Sequence, residues 1–390
     1  MRVLKLLALW LITLGIALTG GWGVMYRISY VLLILIVLAW LWAWIGARTL
    51  TVERKSRTQR AQVGSFFEEW VAVDNTSYLP KPWVDVRCES DLAGHSLAHG
   101  VFLGPQARRT WHFRSQCTMR GKFTIGDITC TTGDPFGLFE RTVRFPSATT
   151  VVVYPRTVDF IGQSKLPGQL PGGTRQGGAV PFVTAAAAGV REYQPSDPYH
   201  RIHWPSTARM GRVMVKEFEL DPFADVWVVL DMERRVHLGS GPESTEEYGA
   251  TVAASLARLF LLENRSVGVL SQGQLVPPDR GARQVDRVLE VLALARANRS
   301  EPLAETLAAE SVRFSQMTTV CIVTPSVDRA WTLACRELTH RGVRQVVALI
   351  DPTSFGGSRS PDEVVAALTA GGVPTYVVRQ GEPLEGLLSQ

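Results

Sequence analysis

Apolar residues run almost unbroken from Leu4 to Met25 and again from Ile28 to Ala47. Each run has the length, about 20 residues, that carries a helix across a hydrocarbon core. Tyr26 and Arg27 separate them, so the pattern predicts a helical hairpin with a very short turn. Trp40, Trp42 and Trp44 gather toward the far end of the second run, where indole rings suit a lipid–water boundary. Arg2 and Lys5 precede the first run, and Arg48, Arg54, Lys55, Arg57 and Arg60 follow the second. Only Arg27 lies between. The excess of Lys and Arg outside the hairpin predicts both chain ends in the cytoplasm, with the soluble part on that side. A cleaved signal peptide is the competing reading of the first run, but no good small-residue cleavage site follows it.

From about Leu50 to Arg156 the period changes to two. Val84, Val86 and Cys88 alternate with Asp85 and Arg87, and Trp111 and Phe113 alternate with His112 and Arg114. Turn residues divide these runs, which predicts a β-sandwich over 50–158. Residues 159–189 are rich in Gly, Pro and Ala and read as an extended connector. A polar, aromatic segment occupies 190–223. Beyond it, short apolar runs at 225–231, 266–270, 320–324, 346–351 and 375–378 alternate with helical patterns at 244–263, 283–297, 301–311, 327–341 and 361–371. Strand and helix in alternation predict a doubly wound α/β domain over 224–390, built on a parallel sheet.

Composition changes this picture little. At 390 residues the chain is too long for one ordinary core, and 46% hydrophobic against 20% charged residues excludes disorder. A net charge of +5 is too small to argue for nucleic acid. The five cysteines, Cys88, Cys117, Cys130, Cys321 and Cys335, form no CxxC pair, and read as buried reduced thiols.

The segment 190–223 holds the densest chemistry. Asp197, His200 and Ser206 are residue types of a hydrolase or transferase, but a triad is assembled from separate elements, and no G-x-S-x-G occurs. Arg191, Arg201, Arg209, Arg212 and Lys216 are nearly balanced by Glu192, Asp197, Glu217 and Glu219, which argues against a phosphate-seeking surface. No phosphate loop occurs; Gly172 to Gly178 lacks a strand before it and a helix after it. The favoured reading is a polar latch. Asp197 accepts from Arg201 and from Arg209 or Arg191, and Tyr193 and Trp204 supply large apolar bodies. Val213 to Phe218 then reads as a strand joining the α/β sheet edge or the sandwich. Unsatisfied Arg donors would face a partner.

Three motifs carry a family resemblance. The first is Arg120 to Gly126, with Gly121 in second place, followed by Gly133-Asp134-Pro135-Phe136-Gly137-Leu138-Phe139. The second is Val153 to Arg156. The third is the polar segment, through Arg191, Tyr193, Asp197, Arg201, Ile202, Trp204, Ala208 and Arg209. Together they resemble the bacterial domain-of-unknown-function family fifty-eight. Ser196 and Thr207 depart from that family's Gly and Ser, and Pro205 follows the Trp. The resemblance implies two membrane spans, a β-sandwich and a von Willebrand factor A-like domain. It also implies a non-enzymatic role beside a MoxR-type AAA ATPase and the membrane-complex clients of that ATPase. Such domains often hold Mg²⁺ on Asp-x-Ser-x-Ser. Here Asp231 keeps the first position, but Glu233 and Arg235 replace the serines, so the expectation is a degenerate site with no metal and no cofactor. A Mg²⁺-dependent switch at Asp231 is the alternative.

Overall fold

The computed structural model describes residues 2–57, 60–160, 183–194, 199, 202–220, 225–271, 273–316 and 318–389. The chain divides into two compact units, Met1–Arg156 and Thr157–Gln390.

The first unit opens with α1 (Arg2–Gly20) and α2 (Gly23–Arg48). Both are long and apolar enough to cross a membrane. The turn between them falls at Gly21, which takes φ 65°, and not at Tyr26–Arg27. Glycine adopts that left-handed conformation at no steric cost, so the chain reverses there and Tyr26 and Arg27 continue α2. The buried face of α2 is made of small residues, Ser29, Ala39, Ala43, Gly46 and Ala47.

Nine strands follow: β1 (Leu50–Ser56), β2 (Arg60–Gln62), β3 (Phe66–Asn75), β4 (Lys81–Ser90), β5 (Leu97–Leu103), β6 (Arg108–Gln116), β7 (Gly121–Gly133), β8 (Glu140–Phe145) and β9 (Thr149–Tyr154). One sheet has the order β1-β3-β6, and the other β2-β9-β7-β4-β5 with β8 beside β7. Phe67, Val71 and Val73 of the first sheet share one core with Val84, Val86, Ile125, Ile128 and Val151 of the second. The predicted alternation is met in β4, where Val84, Val86 and Cys88 are buried.

Two sequence expectations change here. Arg54, one of the basic residues that follow the second apolar run, does not stay at the surface with its neighbours. Strand alternation turns it inward with Val52, and its side chain is buried against Glu69 at 3.3 Å. Lys55, Arg57 and Arg60 remain exposed, but β1 carries them away from the end of α2. The sandwich also ends earlier than 158. Val158 and Phe160 belong to the core of the second unit, and Val158 N donates to Ser255 Oγ over 3.0 Å.

In the second unit, β10 (Val183–Glu192) and β11 (Met214–Leu220) form their own antiparallel sheet, with α3 (Trp204–Met210) between them. The strand assigned from Val213 onward therefore joins neither the α/β sheet nor the sandwich. It pairs with the end of the presumed connector, of which 161–182 lie outside the described residues.

The rest is a six-stranded sheet of order β14-β13-β12-β15-β16-β17. Its strands are β12 (Val226–Leu230), β13 (Val267–Ser271), β14 (Gln274–Asp279), β15 (Thr319–Thr324), β16 (Arg344–Ile350) and β17 (Thr375–Val378). Its helices are α4 (Thr245–Leu262), α5 (Ala282–Leu294), α6 (Leu303–Glu310), α7 (Ala330–His340) and α8 (Asp362–Ala370). The sheet is mixed, not parallel throughout, because β14 returns antiparallel along β13. Val226, Val228 and Leu230 share a core with α4 and α5, while Trp227 and Val229 face α6, α7 and α8. Both faces of β12 are thus covered, which is why its sequence is apolar without alternation.

Candidate functional site

Strands β13 and β15 flank β12 on its two sides and are reached by connections that leave in opposite directions. In an open α/β sheet, this reversal opens a crevice at the carboxyl ends of the two central strands. Here those ends carry Asp231 after β12 and Thr324-Pro325-Ser326 after β15.

Asp231 is fully buried. Its Oδ2 accepts from Thr324 Oγ1 over 2.6 Å, and its Oδ1 accepts from Glu233 N over 3.0 Å. Thr324 Oγ1 in turn accepts from Ser326 N over 2.9 Å. Trp331 Nε1 donates to Ser326 O over 3.2 Å, so α7 fixes the second loop. His237 closes the first. Its Nε2 lies 3.0 Å from Asp231 O and its Nδ1 3.1 Å from Thr245 Oγ1. The carbonyl only accepts, so Nε2 carries the proton. Glu233 is buried, and desolvation pushes its carboxyl up; Arg235 opposes that shift, and Asp328 and Glu305 add to it.

This donor set does not fit a hard cation. Both Asp231 oxygens already accept from the protein, and Arg234 and Arg235 bring positive charge to the same loop. Among the described residues no group of three or more His, Cys, Asp and Glu is placed to hold a metal ion. Asp231 does more than end a strand, however: it ties the two central strands together across the switch point. The same device recurs one strand further on. Asp351, after β16, accepts from Thr353 N and Thr353 Oγ1 at 2.9 and 2.6 Å, and Arg379 Nε lies 3.5 Å from its Oδ2. Sequence reading missed Asp351 and His237. A short apolar run ending in Asp was a signal for the first; none marked the second.

The polar segment is only partly visible. Asp197, His200 and Arg201 lie outside the described residues, and so does the proposed Asp197–Arg201 latch. Arg191 sits in β10 opposite Val215. Tyr193 stacks on Tyr199 with ring centroids 6.0 Å apart, a partner not foreseen. Arg212 Nη1 lies 3.3 Å from Glu192 Oε2, both exposed. Trp204 and Arg209 are exposed on α3, so Trp204 supplies no buried body here. Ser206 Oγ lies 2.7 Å from His203 Nδ1. His203 precedes the first residue of α3 and Ser206 is its third, so the pair is a local bond of one helix start.

The sandwich motif shapes the β7–β8 loop and the start of β7. Asp134 is fully buried and organises the β7–β8 loop. Oδ2 accepts from Phe136 N at 2.8 Å, and Oδ1 accepts from Leu138 N and Phe139 N at 2.8 and 2.6 Å. Pro135 and Phe136 ride exposed on that loop, and Gly137 supplies its φ of 64°. Gly133 has no room for a side chain, since a Cβ would lie 2.5 Å from Phe139 O. Arg120 is fully buried and Gly121 takes φ 145° at the start of β7.

Residues 189–354, which hold both the polar segment and the switch point, match the family described as "Protein of unknown function DUF58". The chain carries a DUF58 domain. It is 25% identical over 328 residues to the uncharacterized protein YeaD of Bacillus subtilis (strain 168), covering 79% of this chain and 80% of that one. It is 28% identical over 144 residues to the uncharacterized protein Rv1480 of Mycobacterium tuberculosis (strain H37Rv), covering 35% of this chain and 44% of that one. Among solved structures, the CARDB domain of the PF1109 protein from Pyrococcus furiosus aligns at 24% identity over 27% of this chain and 91% of that one. Its TM-score of 0.21 supports no statement about fold.

Proposed function

We propose that this DUF58 protein is a membrane-anchored, non-catalytic binding protein whose second unit is a von Willebrand factor A-like module that has given up its metal. The two N-terminal helices hold it in the bacterial inner membrane as a hairpin, with both chain ends and the folded units in the cytoplasm. The observation that carries the reading is the closed Asp231–Thr324 pair at the switch point of the 6-stranded sheet. The carboxylate that would hold a cation is spent inside the protein, and the rim around it, Arg234, Arg235, Asp328 and Arg329, is exposed and charged. A charged rim over a rigid sheet end suits a protein surface rather than a small substrate. The partner implied by the family resemblance is a MoxR-type AAA ATPase or its client complex. The membrane anchor would raise their encounter by confinement.

The test is affinity capture of the tagged full-length protein from gently solubilised membranes, with and without chelator, read by mass spectrometry. The expected result is a MoxR-type ATPase enriched equally in both, and lost from an Arg234→Glu/Arg235→Glu variant. An ATPase that never appears, or one that chelator removes, overturns the reading.

A further inference from the structure

The end of the sandwich that abuts α2 carries an unexplained set of aromatic side chains. Three loops meet there. Thr76 N, in the β3–β4 loop, donates to Thr49 O over 3.0 Å, and Thr49 is the residue that ends α2. Asn75 Nδ2 joins this loop to the β5–β6 loop, donating to Gly104 O over 2.8 Å. The third loop follows β7, whose Thr132 methyl lies 3.9 Å from the Cβ position of Gly46 in the last turn of α2. Each loop region exposes one large ring: Tyr78 at 79%, Phe102 at 58% and Phe136 at 64% of full accessibility.

The depth of this end is fixed by α2. Its exposed apolar residues run from Val24 to Leu41, eighteen residues, about 27 Å at 1.5 Å per residue. That matches a hydrocarbon core of about 30 Å. Beyond Leu41 the helix has no exposed apolar side chain; Ala43, Gly46 and Ala47 are buried and Arg48 lies over the Trp44 ring at 4.0 Å. The last two turns therefore stand at headgroup level, and the end of the sandwich joined to them through Thr76 and Thr132 stands there too. Strand directions agree. The chain enters the sandwich at this end through Leu50 and leaves from the other, since β9 runs antiparallel to β7 and Val153 pairs with Gly121.

We propose that Tyr78, Phe102 and Phe136 seat this end of the sandwich in the headgroup layer of the same bilayer that α1 and α2 cross. The inference rests on the reading of those helices as membrane spans. Aromatic rings partition favourably into that layer, and three of them, Tyr78 and Phe136 on loops and Phe102 at the end of β5, resist tilting of the domain about its anchor. Loops β3–β4 and β7–β8 are themselves rigid. Asn75 and Ser77 pin the first from below, and Asp134 pins the second. The rings are therefore held out by built loops rather than left over from the core.

The experiment uses the full-length protein reconstituted in vesicles. Single cysteines are introduced by Tyr78→Cys, Phe102→Cys and Phe136→Cys, with Leu38→Cys in the span and Thr118→Cys at the far end of the sandwich as references. All five native cysteines are buried, so an environment-sensitive thiol dye marks the introduced site. Nitroxide lipids labelled near the headgroup or deep in the chain then quench by depth. The expected result is headgroup-level quenching at 78, 102 and 136, deep quenching at 38 and none at 118. Quenching at 38 with none at the three loop sites overturns this proposal and leaves the anchor standing. No quenching at 38 overturns the anchor and the proposal together.

Discussion

Thr324 and Asp231 stand 93 positions apart and meet through a 2.6 Å hydrogen bond between buried side chains at the ends of adjacent parallel strands. Thr324→Val keeps the shape and strips the donor. The buried carboxylate oxygen then loses its partner, a loss worth about 1–3 kcal/mol. Urea denaturation of the second unit's transition is expected to show that loss, and Thr324→Ser is expected to recover most of it. A full-strength transition in the valine variant would remove the pair from its role at the switch point.

A second prediction concerns Lys81. Its ammonium is buried, and Nζ donates to Asn75 Oδ1, Thr49 Oγ1 and Ser77 Oγ with no carboxylate among these partners. Desolvation lowers its pKa to about 8. The unfolded chain holds that proton up to about 10.5, so between the two values the unfolded state binds more protons and stability rises with pH. The gain across this window is about 1–3 kcal/mol. Denaturant midpoints of the sandwich measured from pH 7 to 10.5 should rise, and Lys81→Met should flatten the rise.

Glu69 and His95, buried together beside Arg54, carry opposite pH dependences in the acid range. His95 Nδ1 contacts Ser115 Oγ at 3.0 Å, and its Nε2 lies 3.4 Å from Glu69 Oε1. Burial, then Arg54, lowers the pKa of the ring, so the folded protein keeps it neutral while the unfolded chain charges it below about 6.5. Its share of stability is therefore present at neutral pH and lost as pH falls. Glu69 acts the other way. Burial raises its carboxyl, so its protonation favours the folded state as pH falls toward 4.5. The difference between wild type and His95→Gln isolates the histidine, and should widen toward neutral pH and close on acidification.

At the β7–β8 loop, Asp134→Ala removes the acceptor of three backbone N–H groups at once. The expected cost is about 3 kcal/mol, read as a lower melting temperature. Gly133→Ala should cost a comparable amount, because its methyl meets Phe139 O at 2.5 Å and Trp83 Cζ2 at 2.7 Å.

Ser206→Ala is expected to leave partner capture unchanged and to loosen only the start of α3, since Ser206 bonds the adjacent His203. Loss of cellular function with capture intact would reopen a chemical role for the segment.

Much of this architecture was legible in the chain. Apolar run length marked α1 and α2, and the switch between period two and period 3.6 separated the sandwich from the α/β unit. Asp231 was visible because it follows the run from Val226 to Leu230. What escaped has physical reasons. Gly21 and the Tyr26–Arg27 pair both interrupt an apolar run, and only backbone geometry decides which one turns. The antiparallel β14 carries two prolines, Pro277 and Pro278, that speak against a strand unless it lies at an edge, as this one does. The pairing of β10 with β11 joins a segment read as connector to one read as a sheet edge, and strand pairing is a long-range property that composition does not record. Lys81 looks like any surface lysine until three oxygens are found around it.

No flexible joint separates the hairpin from the sandwich. A single residue, Thr49, lies between Arg48 of α2 and Leu50 of β1, and its backbone carbonyl and its hydroxyl are both bound from the β3–β4 region, by Thr76 and Lys81. Mechanically the two parts are one stiff body. On the proposal that α1 and α2 span a bilayer, a sideways load on the sandwich becomes torque on that pair, and a bilayer that thins or thickens around α2 must lean the whole first unit with it.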